Sequence, residues 1–462
     1  MSGLRESAYG YWTSPRAFLW VAAGCALGIG SLVRLPALMA SYGGSAFLLV
    51  YLLALLTLGL PLLLGEWLLG RWMREDLVSG FQRLGLPSRT EQRWRLLGRM
   101  FLIAAALVLS YYSVIAGWSL GYAFRAAAGA LQGETDPLRS TERFLRLAQD
   151  PERSLSWHTL FMVAVTIVVS HGFKEGIEKT ARLLLPVAGL MALLLLLLAL
   201  QGPGAAPALA QLVEPDFSRL GWRGVLEALQ AAFFTLGLGL GAMLALGSYL
   251  PASMPLVRYG FAVLLIDTGL SLVVGFAVLS LTLPAGLEGV DSLTALFQLL
   301  PTVLPPGLRG QLFATVLYLL IFVVTLLAAA ALLEPLTRFL MERQRTSRVF
   351  AATTGAVLIW ALGIGSLLSF SLLSGLTLLG QTFFGWLQLL TALVLAPLGG
   401  LGLGLLLTRV VSREALAAAW GPGEEAWRPA WYGALRYPAR LGLIAVVLHA
   451  CGLFDAVVLL WS

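Results

Sequence analysis

Charge is what this chain has least of. Only 12% of its 462 residues are charged, against 58% hydrophobic, and it holds three histidines and two cysteines. Both cysteines, Cys25 and Cys451, stand inside apolar runs, which excludes a disulfide framework. His158, His171 and His449 have no metal-ligand partner at useful spacing, so no metal centre is expected and all three read as structural. No nucleophile–base pair or metal cluster falls at membrane depth, which argues against an enzyme. The formal net charge is +7. That excess does not point to nucleic acid, because the basic residues collect in alternate loops, the pattern of membrane topology.

What the chain has instead is apolar length. Runs of about 20 residues, enough to cross a bilayer as helices, recur eleven times. They lie near 17–40, 45–70, 98–129, 156–171, 181–201, 224–249, 259–283, 310–340, 348–370, 376–411 and 434–461. The fold class is therefore all-α, a polytopic membrane protein whose partner is the lipid bilayer. The first run is not a cleaved leader, because it lacks a small-residue cleavage site and carries Arg34 and several glycines. Arg71, Arg74, Arg83, Arg89, Arg93, Arg95 and Arg99 follow span two; Arg338, Arg343, Arg345 and Arg348 follow span eight; Arg409 and Arg413 follow span ten. These loops share a side with the N-terminus, which is expected in the cytoplasm, with the C-terminus outside a bacterial cytoplasmic membrane.

Two spans are poor material for a continuous helix. Span one, "FLWVAAGCALGIGSLVRLPALMASYGG", holds Gly24, Gly28, Gly30, Arg34 and Pro36; span six, "ALQAAFFTLGLGLGAMLALGSYL", holds Gly237, Gly239 and Gly241. Small residues also serve close helix packing. Breaks at corresponding places in two halves are more specific, and point to a transporter with a midplane site.

The stretch from Trp12 to Arg71, above all "YGGSAFLLVY" and "GLPLLLGEWLLGR", resembles the opening of the neurotransmitter:sodium symporter family. "SYYSVIAGW", "GIEKTARLLLP", "PDFSRL", "FFTLGLGLGA" and "APLGG" extend the resemblance in order along nearly the whole chain. It implies an inverted repeat of five plus five helices, near 12–201 and 224–411, an extra helix near 434–461, and alternating access. The solute pocket it implies is formed by Ala26, Gly28 and Gly30 of span one and Val108 and Tyr112 of span three. Phe234, Thr235, Gly237 and Leu240 of span six join Ala328, Ala329 and Leu332 of span eight. Gly28 stands where amine-transporting members carry an aspartate, which leans toward the amino-acid branch. Each Leu or Ala alone reads as packing. Together they make an apolar wall suited to a hydrophobic or aromatic solute, with Tyr112 as its polar anchor.

The implied ion sites depart from the family. One sodium site uses carbonyls, here Gly24, Leu27 and Val324, with two span-eight hydroxyls. Those hydroxyl positions fall on Leu327 and Ala328, which offer no oxygen to a hard cation; Thr325 lies two residues off. The other site's asparagine, threonine and asparagine fall on Ser31, Thr235 and Asp267. Tyr51 and Ser271 match a chloride site, but its glutamine is Ala231, and an ionised Asp267 repels chloride, so no chloride dependence is expected.

A carboxylate at the centre of a span costs roughly 2.5–3.5 kcal/mol and marks an ion or proton path. The expected coupling ion is the proton, taken and released by Asp267; the alternatives are a sodium ligand and a structural donor. Glu66 reads as the brace of the broken backbone, with a second proton carrier as the other role. The resemblance places an outer gate at Arg34, with Gln388 as a neutral partner, and at Tyr111 and Phe234. An inner gate falls at Trp12, Tyr249 and Glu342, with Tyr9 at the usual N-terminal arginine position and Arg5 one turn earlier. Gly176 and Pro186 keep the spacing of a span-five segment thought to unwind. The resulting expectation is a proton-coupled, sodium-independent symporter of a small hydrophobic or aromatic amino acid. The alternatives are a sodium-coupled symporter, a carrier of a neutral aromatic or an amine, and a transporter-derived sensor or facilitator.

Overall fold

The computed structural model of the protein describes residues 7, 9–82, 88–286 and 292–452, and the regular elements among them are all helices. Span one is a pair, α1 (Pro15–Ala26) and α2 (Gly30–Ser41), bent by 64° across the break. Then come α3 (Ser45–Met73), α4 (Ser88–Ala127), α5 (Pro151–Ser170) and α6 (Phe173–Leu200). Span six is again split, into α7 (Phe217–Phe234) and α8 (Ala242–Gly247). It is followed by α9 (Leu256–Thr282), α10 (Leu308–Gln344), α11 (Arg348–Leu368) and α12 (Phe383–Val410). Three shorter helices close the described chain: α13 (Arg413–Ala419), α14 (Arg428–Arg436) and α15 (Pro438–Ala450).

Among the described residues, eight helices are long and apolar enough to cross a membrane, or nine if the bent pair is one span. Two of the eleven expected spans are missing from that count for different reasons. Span six is cut short by its own break, and the expected last span runs into residues 453–461, outside the described residues.

The helices sort their faces by side-chain size. On α6, Ala181, Leu185, Ala188, Ala192, Leu195 and Ala199 are buried, a spacing of three and four that makes one stripe. Leu183, Leu190, Leu197 and Leu200 are exposed on the other side, where lipid tails take the place of a core. α10 is buried on all sides and packs along α4, α5, α6 and α11, so it is the central post of the bundle. Polar caps fix where helices begin. Ser14 accepts from the Ala17 amide ahead of Pro15, and Asp216 accepts from Ser218 and Arg219 at the start of α7.

Candidate functional site

The two breaks face each other, and fixed backbone chemistry holds them open. α1 ends because Leu27 turns to an extended conformation (φ −64°, ψ 131°), which frees the amides that follow. Between α7 and α8, Gly237, Gly239 and Gly241 all have positive φ, which glycine alone adopts without strain. Fully buried Glu66 accepts from the Gly239 amide at 2.8 Å and the Leu244 amide at 3.1 Å, one inside the break and one in the first turn of α8. An unwound backbone in a dry interior needs such an acceptor.

Between the breaks lies a cavity of about 120 Å³. Ala26, Gly28, Gly30, Val108, Tyr112, Phe234, Thr235, Gly237, Leu240, Ala328 and Leu332 all line it. Ala329 does not. It is fully buried away from the cavity, because one helical step of about 100° carries it off the face that Ala328, Ala331 and Leu332 share. Cys25, Ile29, Leu236, Met243 and Ala331 also line the space without having been expected there. Ala331 was legible, three residues on from Ala328; the others depend on how the broken ends turn. The Tyr112 hydroxyl is buried, with only the Ile29 backbone as a polar neighbour among the described residues, and a Cβ on Gly28 would stand 2.8 Å from it. It is a polar group in an apolar wall.

At the cavity's edge three side chains from three spans meet. Thr235 Oγ1 donates to Asp267 Oδ2 at 2.7 Å and lies 2.8 Å from Ser31 Oγ, which itself reaches the Ala26 carbonyl at 3.5 Å. Asp267 is fully buried, and among the described residues its Oδ1 makes no hydrogen bond. The buried hydroxyls of Tyr51 and Thr268 lie within hydrogen-bonding reach of one another beside it, and Ser271 is buried one turn further along α9. The other ion position is different. Leu327 packs against Gly24, where a Cβ would stand 2.7 Å from Leu327 Cδ1, so a leucine side chain fills the space between spans one and eight. Thr325 is buried and bonds back to the Phe322 carbonyl at 2.9 Å, turned away from that space.

Both ends of the site are lined with interactions. At the arginine-rich end, Trp12 is buried edge-on against Phe173 and Tyr249, and its indole donates to the Leu246 carbonyl at 3.2 Å. The Tyr249 hydroxyl donates to fully buried Glu334 at 2.5 Å, and Arg348 donates to the same carboxylate. Glu334, in the stretch "LLEP", was not among the expected site residues. Glu342 accepts from Arg338 at 2.8 Å and from the Asp76 amide at 3.0 Å. Tyr9 lies beneath the Arg338 guanidinium, while Arg5 is outside the described residues. Gly176 sits in a π-helical turn, Phe173–Glu178, and Pro186 lies inside the continuous helix that follows.

At the opposite end one expectation is corrected. Arg34, aligned above with Gln388, pairs instead with Glu227 at 2.9 Å, and no hydrogen bond joins it to Gln388 among the described residues. Glu227, on α7, lies within reach of the guanidinium, so the pair at this end is ionic rather than neutral. His449 Nε2 stands 3.8 Å from the same carboxylate, which gives one of the three histidines a charged neighbour. His158 is buried against Trp360 and its carbonyl. Phe234 lines the cavity, whereas Tyr111 does not; Tyr111 lies 3.4 Å from Thr391 and edge-on to Phe384.

Comparison with known proteins gives consistent results. The profile of the sodium:neurotransmitter symporter family matches residues 9–136 and 141–291. The uncharacterized sodium-dependent transporter YhdH of Bacillus subtilis is 31% identical over 447 residues, 96% of this chain and 98% of its own. An uncharacterized sodium-dependent transporter of Haemophilus influenzae is 25% identical over 443 residues, covering 95% and 97%. Among solved structures, MhsT in complex with L-phenylalanine is 32% identical, with a TM-score of 0.85 over 96% of this chain and 99% of that one.

Proposed function

Because the chain belongs to the sodium:neurotransmitter symporter family, we propose that it is a sodium-coupled symporter of a hydrophobic or aromatic amino acid. It works by alternating access, with one sodium ion held at Asp267. The observation that carries this reading is the oxygen cluster of Asp267, Thr235 and Ser31, of which Thr235 and Ser31 also line the cavity. A carboxylate, two hydroxyls, the Ala26 carbonyl and the carboxylate of the bound amino acid make an all-oxygen set, which is what a hard cation selects. The apolar wall takes the side chain. A volume of about 120 Å³ is of the order of the ~150 Å³ cavity that takes a benzene ring.

Relatives named as sodium-dependent favour sodium over the proton, and a solved relative that holds L-phenylalanine favours an aromatic amino acid as solute. Composition weighs the same way. The chain contains no asparagine at all. Another oxygen-bearing side chain must therefore stand wherever an amide ligand would, and Asp267 needs no proton chemistry to explain it. Leu327 argues for a single ion rather than two. Chloride is not expected beside an ionised Asp267. On this reading the arginine-rich end is cytoplasmic, and two five-helix halves rock about the breaks while the last helix stays outside them.

The test is uptake of L-phenylalanine into proteoliposomes under separate sodium and pH gradients. Sodium alone drives accumulation, with a Hill coefficient of about 1, as one site requires. Asp267→Asn, which keeps an oxygen ligand, retains weakened sodium-driven uptake, while Asp267→Ala abolishes it. Accumulation in sodium-free buffer driven by a pH gradient, and lost in Asp267→Asn, would establish the proton instead.

A further inference from the structure

The arginine-rich face carries a second cavity, about 440 Å³, between α13 and α14 and far in sequence from the breaks. Its wall combines Arg413, Arg428 and Arg436 with Trp420, Trp431 and Tyr432. Its depth is set by two bonds to the end of α12, where Tyr432 donates to the Thr408 carbonyl at 2.6 Å and Arg440 to the Gly404 carbonyl at 3.1 Å. Since α12 ends at Val410, the cavity lies at the level where the apolar helix meets the membrane surface.

The cations there are short of counter-charge. Arg428 stands 3.6 Å from Glu425, with its buried Nε unpartnered. Glu424 is committed to the Leu256 and Val257 amides, and Glu414 forms no ion pair among the described residues. Arg409, Arg413, Arg436 and Arg440 pair with no carboxylate among the described residues. Arg413 and Arg436 instead lie over the rings of Tyr432 and Tyr437, at 4.5 Å and 5.4 Å. Gathered guanidinium groups repel one another unless an anion joins them, and their planar forks match phosphate oxygens.

What lies beside the cavity says which anion. The next turns of α15 expose Leu441, Ile444 and Leu448, an apolar face that begins one residue after Arg440. A bound molecule that is anionic at one end and apolar along the other would satisfy both surfaces. We propose that this cavity is a binding site for the phosphate headgroup of an anionic phospholipid, with its acyl chains lying along α15. It needs neither sodium nor solute, so it stands independently of the transport reading.

Native mass spectrometry of the full-length detergent-solubilised protein tests it, with phosphatidylglycerol, phosphatidylcholine and inorganic phosphate as separate additions. Phosphatidylglycerol is retained, phosphatidylcholine is not, and millimolar inorganic phosphate fails to displace the lipid. The double variant Arg413→Gln/Arg436→Gln, with two surface cations removed, weakens phosphatidylglycerol binding by about tenfold. The matched loss of charge at Arg139→Gln/Arg146→Gln, on the exposed helix Pro137–Ala148, leaves it unchanged. Equal lipid binding by the double variant and the native chain would overturn the proposal. So would displacement by inorganic phosphate, which would mark a site for a soluble anion.

Discussion

Gly28 and Tyr112 show how much of the proposed solute site depends on single atoms. The glycine leaves room for a buried hydroxyl, and a methyl group there would stand 2.8 Å from it. Gly28→Ala therefore pushes the tyrosine off its place. Overpacking of this kind costs roughly 1–3 kcal/mol, so solute affinity in a binding assay should fall by about five- to 150-fold, with the protein still folded. Both residues were legible from the order of motifs, as were Ser31, Thr235 and Asp267. Ala329 was not placed correctly, and Glu227 was missed. Alignment names positions along a helix, but the direction in which a side chain leaves it, and what stands across the gap, belong to the packed structure.

Helix breaks are decided at the next scale up. Glycines announce that a helix is free to stop; they do not say that it does. Gly239 shows the difference, because a Cβ there would stand 2.1 Å from the Ala396 carbonyl of α12, on a backbone at φ +74°. Gly237, also at positive φ (+62°), faces open space. Gly239→Ala should abolish folded protein in a detergent size-exclusion assay. Gly237→Ala should remain folded and lower the thermal midpoint by an amount corresponding to about 1–2 kcal/mol of left-handed strain. The same comparison explains why Glu66 sits at the break: two freed amides need one acceptor, and a fully buried carboxylate on α3 supplies both bonds.

For the whole molecule, the two ends of the site are held by unequal means. At the arginine-rich end a buried indole, a stacked Phe173–Tyr249 pair 4.3 Å apart and the Glu334–Arg348 ion pair pack together, and on the proposed transport reading they close the path. Trp12→Ala removes the central piece. Cys25 lines the solute cavity, so in a Cys451→Ser background a thiol reagent applied from that side should label it severalfold faster in the variant than in the native chain. At the other end the Arg34–Glu227 pair is partly solvated, with side-chain exposures of 40% and 20%. Such pairs are worth about 0–1 kcal/mol. Glu227→Gln should accordingly change the initial uptake rate by less than about fivefold, a small effect beside that of Trp12→Ala.

Sequence alone determined the membrane, the all-helical class and the two interrupted spans, because apolar length and glycine placement act locally and are read residue by residue. It also located a carboxylate, a threonine and a serine on three separate spans. Only the tertiary structure decided that these three touch, that Leu327 fills the other ion position, that Arg34 finds Glu227, and that unpaired arginines line a cavity at the membrane surface. Each of these is a contact between segments distant in the chain. Its geometry follows from how whole helices pack, which no local pattern encodes.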